Sequence, residues 1–417
     1  MTILNQTPSA NRLHIGFFGK RNSGKSSLIN TFIGQEVSIV SNVAGTTTDV
    51  VSKPMEIHGL GACVLLDTAG FDDEGELGEI RVEKTEKAAE KIEIAVVVFA
   101  KQEAKEEVEV ACKENCEMTF DIEQELQWCK KFKGEKTPVL PVINKIDLLT
   151  EAQQAALADK IRRELKAEPV FVSALEKKGI EELKEALIRL IPEEFGEQTI
   201  TGDLVSEDDV VLLIMPQDIQ APKGRLILPQ VQTIRELLDK KCTVISTTTD
   251  KMDNALAALK NPPKLIITDS QVFKTVYEKK PEESMLTSFS VLFAGYKGDL
   301  SYYIEGANAI SRLTKKSKVL IAECCTHAPL EEDIGRVKIP MMLRKKVGQG
   351  LTVDMVSGTD FPKDLTQYDL IIQCGACMFN RKYVMSRIDR AKEQGVPMCN
   401  YGVTIAYLTG ILDKISY

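Results

Sequence analysis

The sequence predicts an α/β protein with several parallel sheets, and three observations support this fold class. Short apolar runs of strand length alternate along the chain with segments whose apolar residues recur at helical spacing. The first strand-like run, residues 13–18, leads into a glycine-containing loop and then a helix-like segment. Later runs end directly in polar or cysteine-containing loops. Because the carboxyl ends of parallel strands meet at one edge of a sheet, these loops are expected to form sites there.

Composition and charge narrow the classes of protein that this sequence can be. The chain is 43% apolar and 27% charged, as in globular proteins, and no apolar run approaches the ~18 residues of a membrane span. The formal net charge of −8 disfavours a broad phosphate-binding face, so no nucleic-acid partner is expected. The N-terminal residues lack a secretory pattern, which predicts a cytoplasmic location without a membrane. In a cytoplasmic protein, the ten cysteines of this chain indicate thiols or metal ligands rather than disulfides.

The loop after the first strand has the spacing of a P-loop, with glycines at both ends followed by lysine and serine. Glycines let backbone N–H groups surround a phosphate chain, and the following helix N-terminus adds partial positive charge. Lys25 is expected to reach the β- and γ-phosphates, and the Ser26 hydroxyl to bind Mg²⁺. The nucleotide-binding residues predicted in this loop are Asn22, Ser23, Gly24, Lys25, Ser26 and Ser27.

Two further loops are expected to meet Mg²⁺ and the γ-phosphate. Thr46 and Thr47 lie in a threonine-rich loop, and small GTPases use such a switch threonine to complete the Mg²⁺ shell. Thr47 is assigned this role from its position in the Gly-Thr-Thr pattern. The next strand ends in Asp67, which would hold Mg²⁺ through water, and the Gly70 amide would meet the γ-phosphate. Phe71 then stands where Ras-type enzymes carry a water-orienting glutamine, which predicts slow hydrolysis.

The nucleotide base is predicted to be guanine. A strand over residues 139–143 ends in Asn144-Lys145-Ile146-Asp147. The Asp147 carboxylate would accept both guanine N1–H and N2–H₂, which adenine does not offer in that pattern, while the ring lies against the stem of Lys145. Backbone amides of Ser173 and Ala174, after the next strand, would contact guanine O6. Loops at several strand ends, in this order, indicate a GTP-binding domain.

These motifs resemble those of the TrmE-like GTPases, a branch of the translation-factor-related class. Members with asparagine at the position of Asn22 use it to bind K⁺, which acts beside the phosphates where an arginine finger would. The alternative is that Asn22 only shapes the loop. The resemblance also implies a water-orienting role for Glu79, so the predicted catalytic residues are Lys25, Thr47 and Glu79. The implied activity is slow, K⁺-stimulated GTP hydrolysis.

The middle of the chain predicts a small parallel α/β domain. Its predicted strands are residues 210–215, 242–246 and 265–268, and its predicted helices are 230–240, 250–259 and 271–279. No P-loop, metal spacing or catalytic triad is found there, so this domain is interpreted as a dimerisation platform, with a simple spacer as the alternative. The predicted domains are a P-loop GTPase domain at 1–195, a dimerisation domain at 203–283 and an iron–sulfur cluster-binding domain at 284–417.

The last domain places cysteines after three predicted strands, residues 318–322, 369–372 and 396–400. Cys374 and Cys377 form a C-x₂-C pair, a spacing used by structural zinc, redox dithiols and iron–sulfur clusters. The absence of a second C-x₂-C and the convergence of three strand ends favour a 4Fe–4S cluster with one non-cysteine ligand. Buried thiols without metal are the remaining alternative. Earlier in the chain, Cys112, Cys116 and Cys129 indicate either a metal half-site or ordinary thiols, and no function is assigned to them.

With the GTPase motifs, the pattern of Cys325-Thr326-His327 followed far downstream by Cys374 and Cys377 resembles the HydF family of FeFe-hydrogenase maturation GTPases. That resemblance implies a homodimeric scaffold and carrier that assembles the di-iron subcluster and delivers it to the apo FeFe-hydrogenase. It implies GTP as substrate, Mg²⁺, K⁺ and a 4Fe–4S cluster as cofactors, and the radical-SAM maturases of the same pathway as further partners. The rival hypothesis is a TrmE- or Era-like GTPase acting in tRNA or ribosome biogenesis, with a structural metal in its C-terminal domain.

One position departs from the family pattern. Many members carry histidine immediately before the second cysteine pair, whereas this chain has Gln373, a poor iron ligand. The fourth ligand must then come from elsewhere. Glu332 is ranked first and His327 second. The other candidates are Cys324, Cys399, Glu331 and Asp333.

Overall fold

The computed structural model describes residues 7–34, 38–39, 50–72, 76–101, 120–216, 226–324 and 333–417, with the backbone alone described at 38–39 and 76–77. The chain divides into two compact units, Met1–Phe195 and Gly196–Tyr417. Within these described ranges, no helix has the length and apolar character needed to cross a membrane.

The described residues of the first unit form a seven-stranded sheet. Its strands are β1 Leu13–Phe18, β2 Ser38–Ile39, β3 Val51–Ile57, β4 Gly61–Asp67, β5 Ile94–Phe99, β6 Val139–Ile143 and β7 Val170–Phe171. The order across the sheet is β2-β3-β4-β1-β5-β6-β7, parallel except for the β2–β3 and β3–β4 pairs. Its helices are α1 Lys25–Ile33, α2 Glu76–Ala89, α3 Glu123–Gly134, α4 Glu151–Leu165 and α5 Ile180–Arg189.

Burial on both faces explains why the central strands are apolar along their whole length. Every residue of β1 and β5 is buried. One face packs against Leu28 of α1 and Leu187 of α5, and the other against Phe132 of α3 and Ile161 of α4. The apolar runs that predicted these strands are therefore those of parallel strands covered by helices on both sides.

The described residues of the second unit form two four-stranded parallel sheets. The strands are β8 Val210–Ile214, β9 Thr243–Thr247, β10 Leu265–Thr268, β11 Met285–Ser288, β12 Lys318–Ala322, β13 Thr352–Val356, β14 Leu370–Gln373 and β15 Met398–Asn400. The strand orders are β11-β10-β8-β9 and β13-β12-β14-β15. The helices are α6 Leu228–Asp239, α7 Met252–Ala257, α8 Phe273–Lys279, α9 Phe289–Lys297, α10 Leu300–Asn308, α11 Ile339–Val347, α12 Arg381–Glu393 and α13 Tyr401–Leu408.

A single apolar core joins the two sheets of the second unit. Leu212 and Ile266, from the first of these sheets, belong to the same buried cluster as Leu320 and Ile371 from the second. The opposite face of the first sheet forms its own smaller cluster with α6 and α9, to which Leu237 belongs. The two sheets are therefore parts of one packed body.

The predicted fold class is confirmed, because a P-loop sheet is followed by smaller parallel α/β sheets. Sequence prediction missed β11 and β13, which both lie at sheet edges. The residues of β13 are exposed or half-buried, so they lack an apolar run. The helix expected over 250–259 is shorter, since a 3₁₀ turn precedes α7. The boundary between the predicted domains 203–283 and 284–417 remains a prediction.

Gly306 brings α10 directly against β15. A Cβ at this position would lie 2.0 Å from the carbonyl oxygen of Met398. The substitution Gly306→Ala is therefore expected to destabilise the second unit by about 1–3 kcal/mol, because the backbone must move apart to accept a methyl group. Denaturant-induced unfolding followed by circular dichroism measures this change.

Gly134, at the end of α3, provides the control for this substitution. Among the described residues, a Cβ built there would meet no atom within 4 Å beyond its own chain neighbours and helix backbone. Gly134→Ala is expected to leave stability unchanged or raise it by up to about 1 kcal/mol, since alanine loses less backbone entropy on folding. Equal midpoints for wild type and Gly306→Ala would contradict the close approach of α10 to β15.

Candidate functional site

The phosphate-binding loop connects β1 to α1, and its glycines adopt backbone conformations that other residues disfavour. Gly19 has a φ of 151° and Gly24, immediately before α1, has a φ of 89°. A Cβ at Gly24 would lie 2.4 Å from the side-chain nitrogen of Asn144. The loop therefore requires glycine at this position both for its backbone and for its packing.

Lys25 is buried at the start of α1 and turns its ammonium group back into the loop. Its Nζ donates hydrogen bonds to the carbonyls of Gly19 at 3.0 Å and Lys20 at 2.9 Å. Ser26 and Ser27 follow on the exposed first turn of α1. The helix N-terminus adds its partial positive charge at the same place. This arrangement can bind a phosphate chain, with a hydroxyl available to Mg²⁺.

Asn144 joins the phosphate loop to the loop predicted to bind the base. Its side chain is 1% exposed. The Nδ2 atom donates to the Ser23 carbonyl at 2.9 Å, and Oδ1 accepts from the Ala174 amide at 3.3 Å. A single buried side chain thus holds together three segments that are far apart in sequence.

The predicted base-recognition residues lie together beside this asparagine. The Ser173 hydroxyl donates to the Asp147 carboxylate. Lys145 adopts the left-handed conformation with a φ of 58°, and its Cε lies 3.9 Å from the Cβ position of Gly24. Asp147 itself is exposed. An acceptor carboxylate held open to solvent beside the phosphate loop suits a base edge that carries two donors.

Asp67 presents a buried carboxylate oxygen at the end of β4. Its Oδ1 has no hydrogen-bond partner among the residues that the structure describes. Asp67 pairs in register with Phe17 of β1, and the Thr68 hydroxyl donates to the Phe17 carbonyl at 2.6 Å. The orphaned oxygen therefore lies at the strand end next to the P-loop, where it fits a Mg²⁺ ion bound through water.

The turn after Asp67 is tied to the P-loop by backbone contact. A Cβ at Gly70 would lie 2.6 Å from the amide nitrogen of Arg21. The same amide donates to the Asp72 carboxylate at 2.5 Å. Glycine at position 70 permits this approach, and Asp72 holds the predicted second switch against the phosphate loop.

Phe71 lies in an aromatic stack. Its ring centroid is 4.8 Å from that of Trp128, with an angle of 10° between the ring planes. Trp128, on α3, also stacks on Phe18 at 5.8 Å. The residue at the position of the water-orienting glutamine is thus apolar and packed on α3, consistent with a different device for positioning water.

A charge cluster built on the buried side chains of Lys20 and Glu125 was missed by sequence reasoning. The Nζ of Lys20 donates to the Asp121 carboxylate at 2.9 Å and lies 3.6 Å from that of Glu125. Burial disfavours the charged form of Lys20, but the two carboxylates outweigh it and raise the pKa. Burial raises the pKa of Glu125. The sequence signal that could have revealed this cluster is the position of Glu125 on the same apolar face of α3 as Cys129.

The predicted switch, water-orienting and K⁺-binding residues differ in what the structure describes of them. Thr46 and Thr47 lie outside the described residues. Glu79 is exposed on α2. Asn22 is exposed in the P-loop with a φ of 59°, so its side chain is accessible to a cation. The roles of these residues remain predictions.

In the second unit, the β12–β14 pairing brings two cysteines together. The Cys374 amide donates to the Ala322 carbonyl at 3.1 Å, which continues the strand pairing past Gln373. The Cys324 amide donates to the Cys374 sulfur at 3.1 Å. Hydrogen bonding from Cys324 is the main influence on the Cys374 thiol and, opposed by burial, lowers its pKa to about 7. Because the thiolate is the metal-binding form, this environment suits a ligand.

The C-x₂-C loop is held by a buried lysine from α9. Lys297 is 2% exposed. Its Nζ donates to the carbonyls of Ala376 at 3.3 Å, Cys377 at 3.1 Å and Phe379 at 2.7 Å. Ala376 has a φ of 49°, a strained conformation for a residue with a Cβ. Burial raises the pKa of Cys377. The loop is therefore fixed in one shape by contacts outside itself.

Other candidate ligands differ in their surroundings. Cys399 is buried in β15, and burial raises its pKa to about 12, which disfavours the thiolate. Gln373 is buried with its Oε1 lacking a hydrogen-bond partner among the described residues. Asp333 is buried and accepts from the Arg336 amide at 2.8 Å. Cys324 contacts the Cys374 sulfur directly.

The remaining predicted ligands fall outside the described residues, namely Cys325, His327, Glu331 and Glu332, and so do Cys112 and Cys116. Among the residues that are described, no group of three or more His, Cys, Asp or Glu side chains could hold a metal ion. The donor set of Cys374 and Cys377 at the strand end nevertheless fits part of a cluster site. Cys129 packs in the core of the first unit, where burial raises its pKa to about 12.

Three domain models match the chain. Residues 14–145 match a model described as 50S ribosome-binding GTPase. Residues 200–298 match the hydrogen maturase F dimerization domain, and residues 301–416 match the hydrogen maturase F tetramerization domain. The two maturase models together cover more than half of the chain.

Curated relatives match less than half of the chain. The tRNA modification GTPase MnmE of Flavobacterium johnsoniae is 31% identical over 182 residues, which cover 43% of this chain and 36% of that protein. The GTPase Der of Wolinella succinogenes is 32% identical over 196 residues, covering 45% of this chain and 37% of that protein. The chain thus spans little more than a third of the length of these relatives.

Solved structures resemble the chain only weakly. A crystal structure of an Aquifex aeolicus Era variant bound to GDP and AlF₄⁻ covers 59% of this chain and 98% of its own, at 20% identity and a TM-score of 0.33. The G domain of the T. maritima FeoB iron transporter covers 43% and 99%, at 19% identity and a TM-score of 0.29. The fold is therefore defined by its own strand order.

Trp128 is expected to report nucleotide binding, because it is the single tryptophan of the chain and stacks on the residue after Gly70. Saturating GTP with Mg²⁺ should change its fluorescence, since contact of the γ-phosphate with the Gly70 amide displaces Phe71. The substitution Phe71→Leu should remove most of this change. ATP with Mg²⁺ serves as the control and should leave the emission unchanged. An unaltered spectrum at saturating GTP, with binding verified by calorimetry, would show that the stack does not follow the switch.

Proposed function

Because the chain belongs to the hydrogen maturase F (HydF) family, we propose that it is a GTP-hydrolysing scaffold for the di-iron subcluster of FeFe-hydrogenase. It assembles this unit beside a 4Fe–4S cluster of its own and delivers it to the apo-hydrogenase. The observation that carries the proposal is the Cys374 sulfur at the end of β14, which accepts hydrogen bonds from the amides of Cys324 and Ala376 at 3.1 and 3.4 Å. Hydrogen bonds to cysteine sulfurs are one of the means by which proteins tune iron–sulfur clusters.

In the proposed GTP reaction, the protein binds and orients the nucleotide. Lys25 and the N-terminus of α1 neutralise the phosphates, Asp147 selects guanine, and Ser26, Thr47 and Asp67 hold Mg²⁺. When bound, Mg²⁺ would supply positive charge that offsets the charge developing on the phosphates. The packed aromatic Phe71 leaves water orientation to another group, for which Glu79 is proposed.

Asn22 is proposed to bind K⁺ beside the phosphates. Its exposure in the P-loop and its place in the TrmE-like pattern support this role. A monovalent cation there would offset charge that develops in the transition state.

Hydrolysis is therefore expected to be faster in KCl than in NaCl at equal ionic strength. Asn22→Ala should bring the KCl rate down to that in NaCl while GTP binding persists. Measurement of phosphate release in matched salts decides this point. Equal rates for the wild type in both salts would rule out the cation role.

The proposed partners follow from the family. They are the apo FeFe-hydrogenase and the radical-SAM maturases of the same pathway, with no nucleic acid and no membrane. The matched dimerization and tetramerization models support self-association, for which we propose at least a homodimer. The proposed location is the cytoplasm.

Cys325, Cys374 and Cys377 are proposed to hold the 4Fe–4S cluster, with Glu332 or His327 at the fourth iron. Cys325→Ala, Cys374→Ala and Cys377→Ala should each remove most of the iron and of the visible absorbance after anaerobic reconstitution. GTP hydrolysis should stay nearly unchanged, because the substitutions lie outside the GTPase motifs. Glu332→Ala should keep the iron and alter the electron paramagnetic resonance of the reduced cluster.

Cys242→Ala is the matched control, because this buried cysteine of the second unit donates to the Ser206 carbonyl away from the strand-end site. It should retain full iron. Retention of iron by all three cluster variants would place the cluster elsewhere. Stoichiometric zinc without sulfide in the wild type would favour the alternative, a TrmE- or Era-like GTPase with a structural metal.

A further inference from the structure

Arg387, on α12, is a charged side chain in the core of the second unit. It is 1% exposed. Its Nη1 donates to the Cys324 sulfur at 3.2 Å, and its Nη2 donates to the Gly358 carbonyl at 2.6 Å and the Tyr383 hydroxyl at 2.9 Å. The guanidinium lies 4.8 Å from the ring centroid of Phe361. It is thus held in place on several sides and directed at the cysteine-bearing strand end.

No carboxylate pairs with this guanidinium among the described residues. The acid nearest in sequence to the cysteines, Glu323, instead pairs with Arg336 at 3.0 Å. The Nε of Arg387 also lacks a hydrogen-bond partner in the described part of the chain. Burying a cation without a counter-ion is costly, and a carbonyl, a hydroxyl and aromatic rings offset only part of that cost. The ionisable groups that face it are the Cys324 and Cys374 sulfurs and the Tyr383 hydroxyl, of which the sulfurs become thiolates more readily.

We propose that Arg387 is the built-in counter-ion of an anionic iron–sulfur centre at the β12–β14 strand end. This inference rests on the proposed function, and it assigns a role to a residue outside the metal ligands. The thiolates of Cys374 and Cys377 would bring negative charge to the site, and the guanidinium fixed beside the Cys324 sulfur would offset part of it. Reduction adds one electron to the cluster and makes it more negative, so the same cation favours the reduced form.

Two consequences distinguish this role from ordinary core packing. A counter-ion stabilises the protein with its cluster more than the protein without it, so its removal should narrow the difference in melting temperature between the two forms. It should also shift the reduction potential of the cluster to a more negative value. If Arg387 only filled space, its replacement would lower the melting temperatures of both forms equally and leave the reduction potential unchanged.

The experiment compares Arg387→Met with the wild type, each as the full chain, before and after reconstitution with iron and sulfide. Methionine preserves an unbranched side chain and removes the charge. Melting is followed by circular dichroism, and the potential is read from a redox titration monitored by electron paramagnetic resonance. The expected result is a narrower gap between the two melting temperatures and a more negative potential.

Arg390→Met is the matched control. Arg390 lies on the same helix and also faces the Phe361 ring, at 5.7 Å, but it is only partly buried. The substitution Arg390→Met should leave the difference between the two melting temperatures and the reduction potential as in the wild type. If Arg387→Met does not fold, two further variants test the same point. Arg387→Lys retains the positive charge. Its potential should lie near that of the wild type, whereas Arg387→Gln should give the negative shift.

The outcomes separate the failure of this inference from that of the proposed function. A wild type that takes up no iron would overturn the proposed function itself. A wild type that binds its cluster, with Arg387→Met or Arg387→Gln giving an unchanged potential and equal losses of melting temperature in both forms, would overturn the counter-ion alone.

Discussion

Parallel strand pairing is the constraint on which the candidate sites of both units depend. It places the carboxyl ends of neighbouring strands at one level, so residues far apart in sequence meet without any local signal between them. In the first unit the ends of β1, β4 and β6 supply the P-loop, Asp67 and Asn144. In the second unit the register of β12 with β14 sets Cys324 against Cys374. The candidate functional side chains thus lie at the strand ends and in the loops that follow, while the strands themselves stay apolar.

Buried side chains that bridge separate segments do much of the positioning. Asn144 ties the phosphate loop to the base loop, and Lys297 holds the carbonyls around Cys377. Both side chains are buried, and their hydrogen bonds are made to backbone atoms of other segments. Because a buried polar group is costly unless it is satisfied, each holds its neighbours in a narrow range of geometries. The loops can therefore keep their shape between rounds of binding.

Sequence reasoning recovered the central strands and the motif residues, because a buried parallel strand is an uninterrupted apolar run and the P-loop spacing is specific. It missed the edge strand β13, whose residues are half-buried, and it missed Lys20, Trp128 and Arg387. Their partners are set by tertiary packing between segments with no fixed spacing. An arginine in a helix with a strongly polar sequence, such as α12, resembles a solvated residue until its burial is known.

The core shared by the two sheets of the second unit has a consequence for how this part of the chain comes apart. Since Leu212 and Leu320 belong to one cluster, neither sheet can lose its packing without exposing apolar surface of the other. The regions matched by the dimerization and tetramerization models are therefore coupled in local unfolding and behave as one cooperative block. Loss of packing at the cysteine-bearing edge would therefore extend to the first of the two sheets, and proteases would cleave this block only after it has opened as a whole.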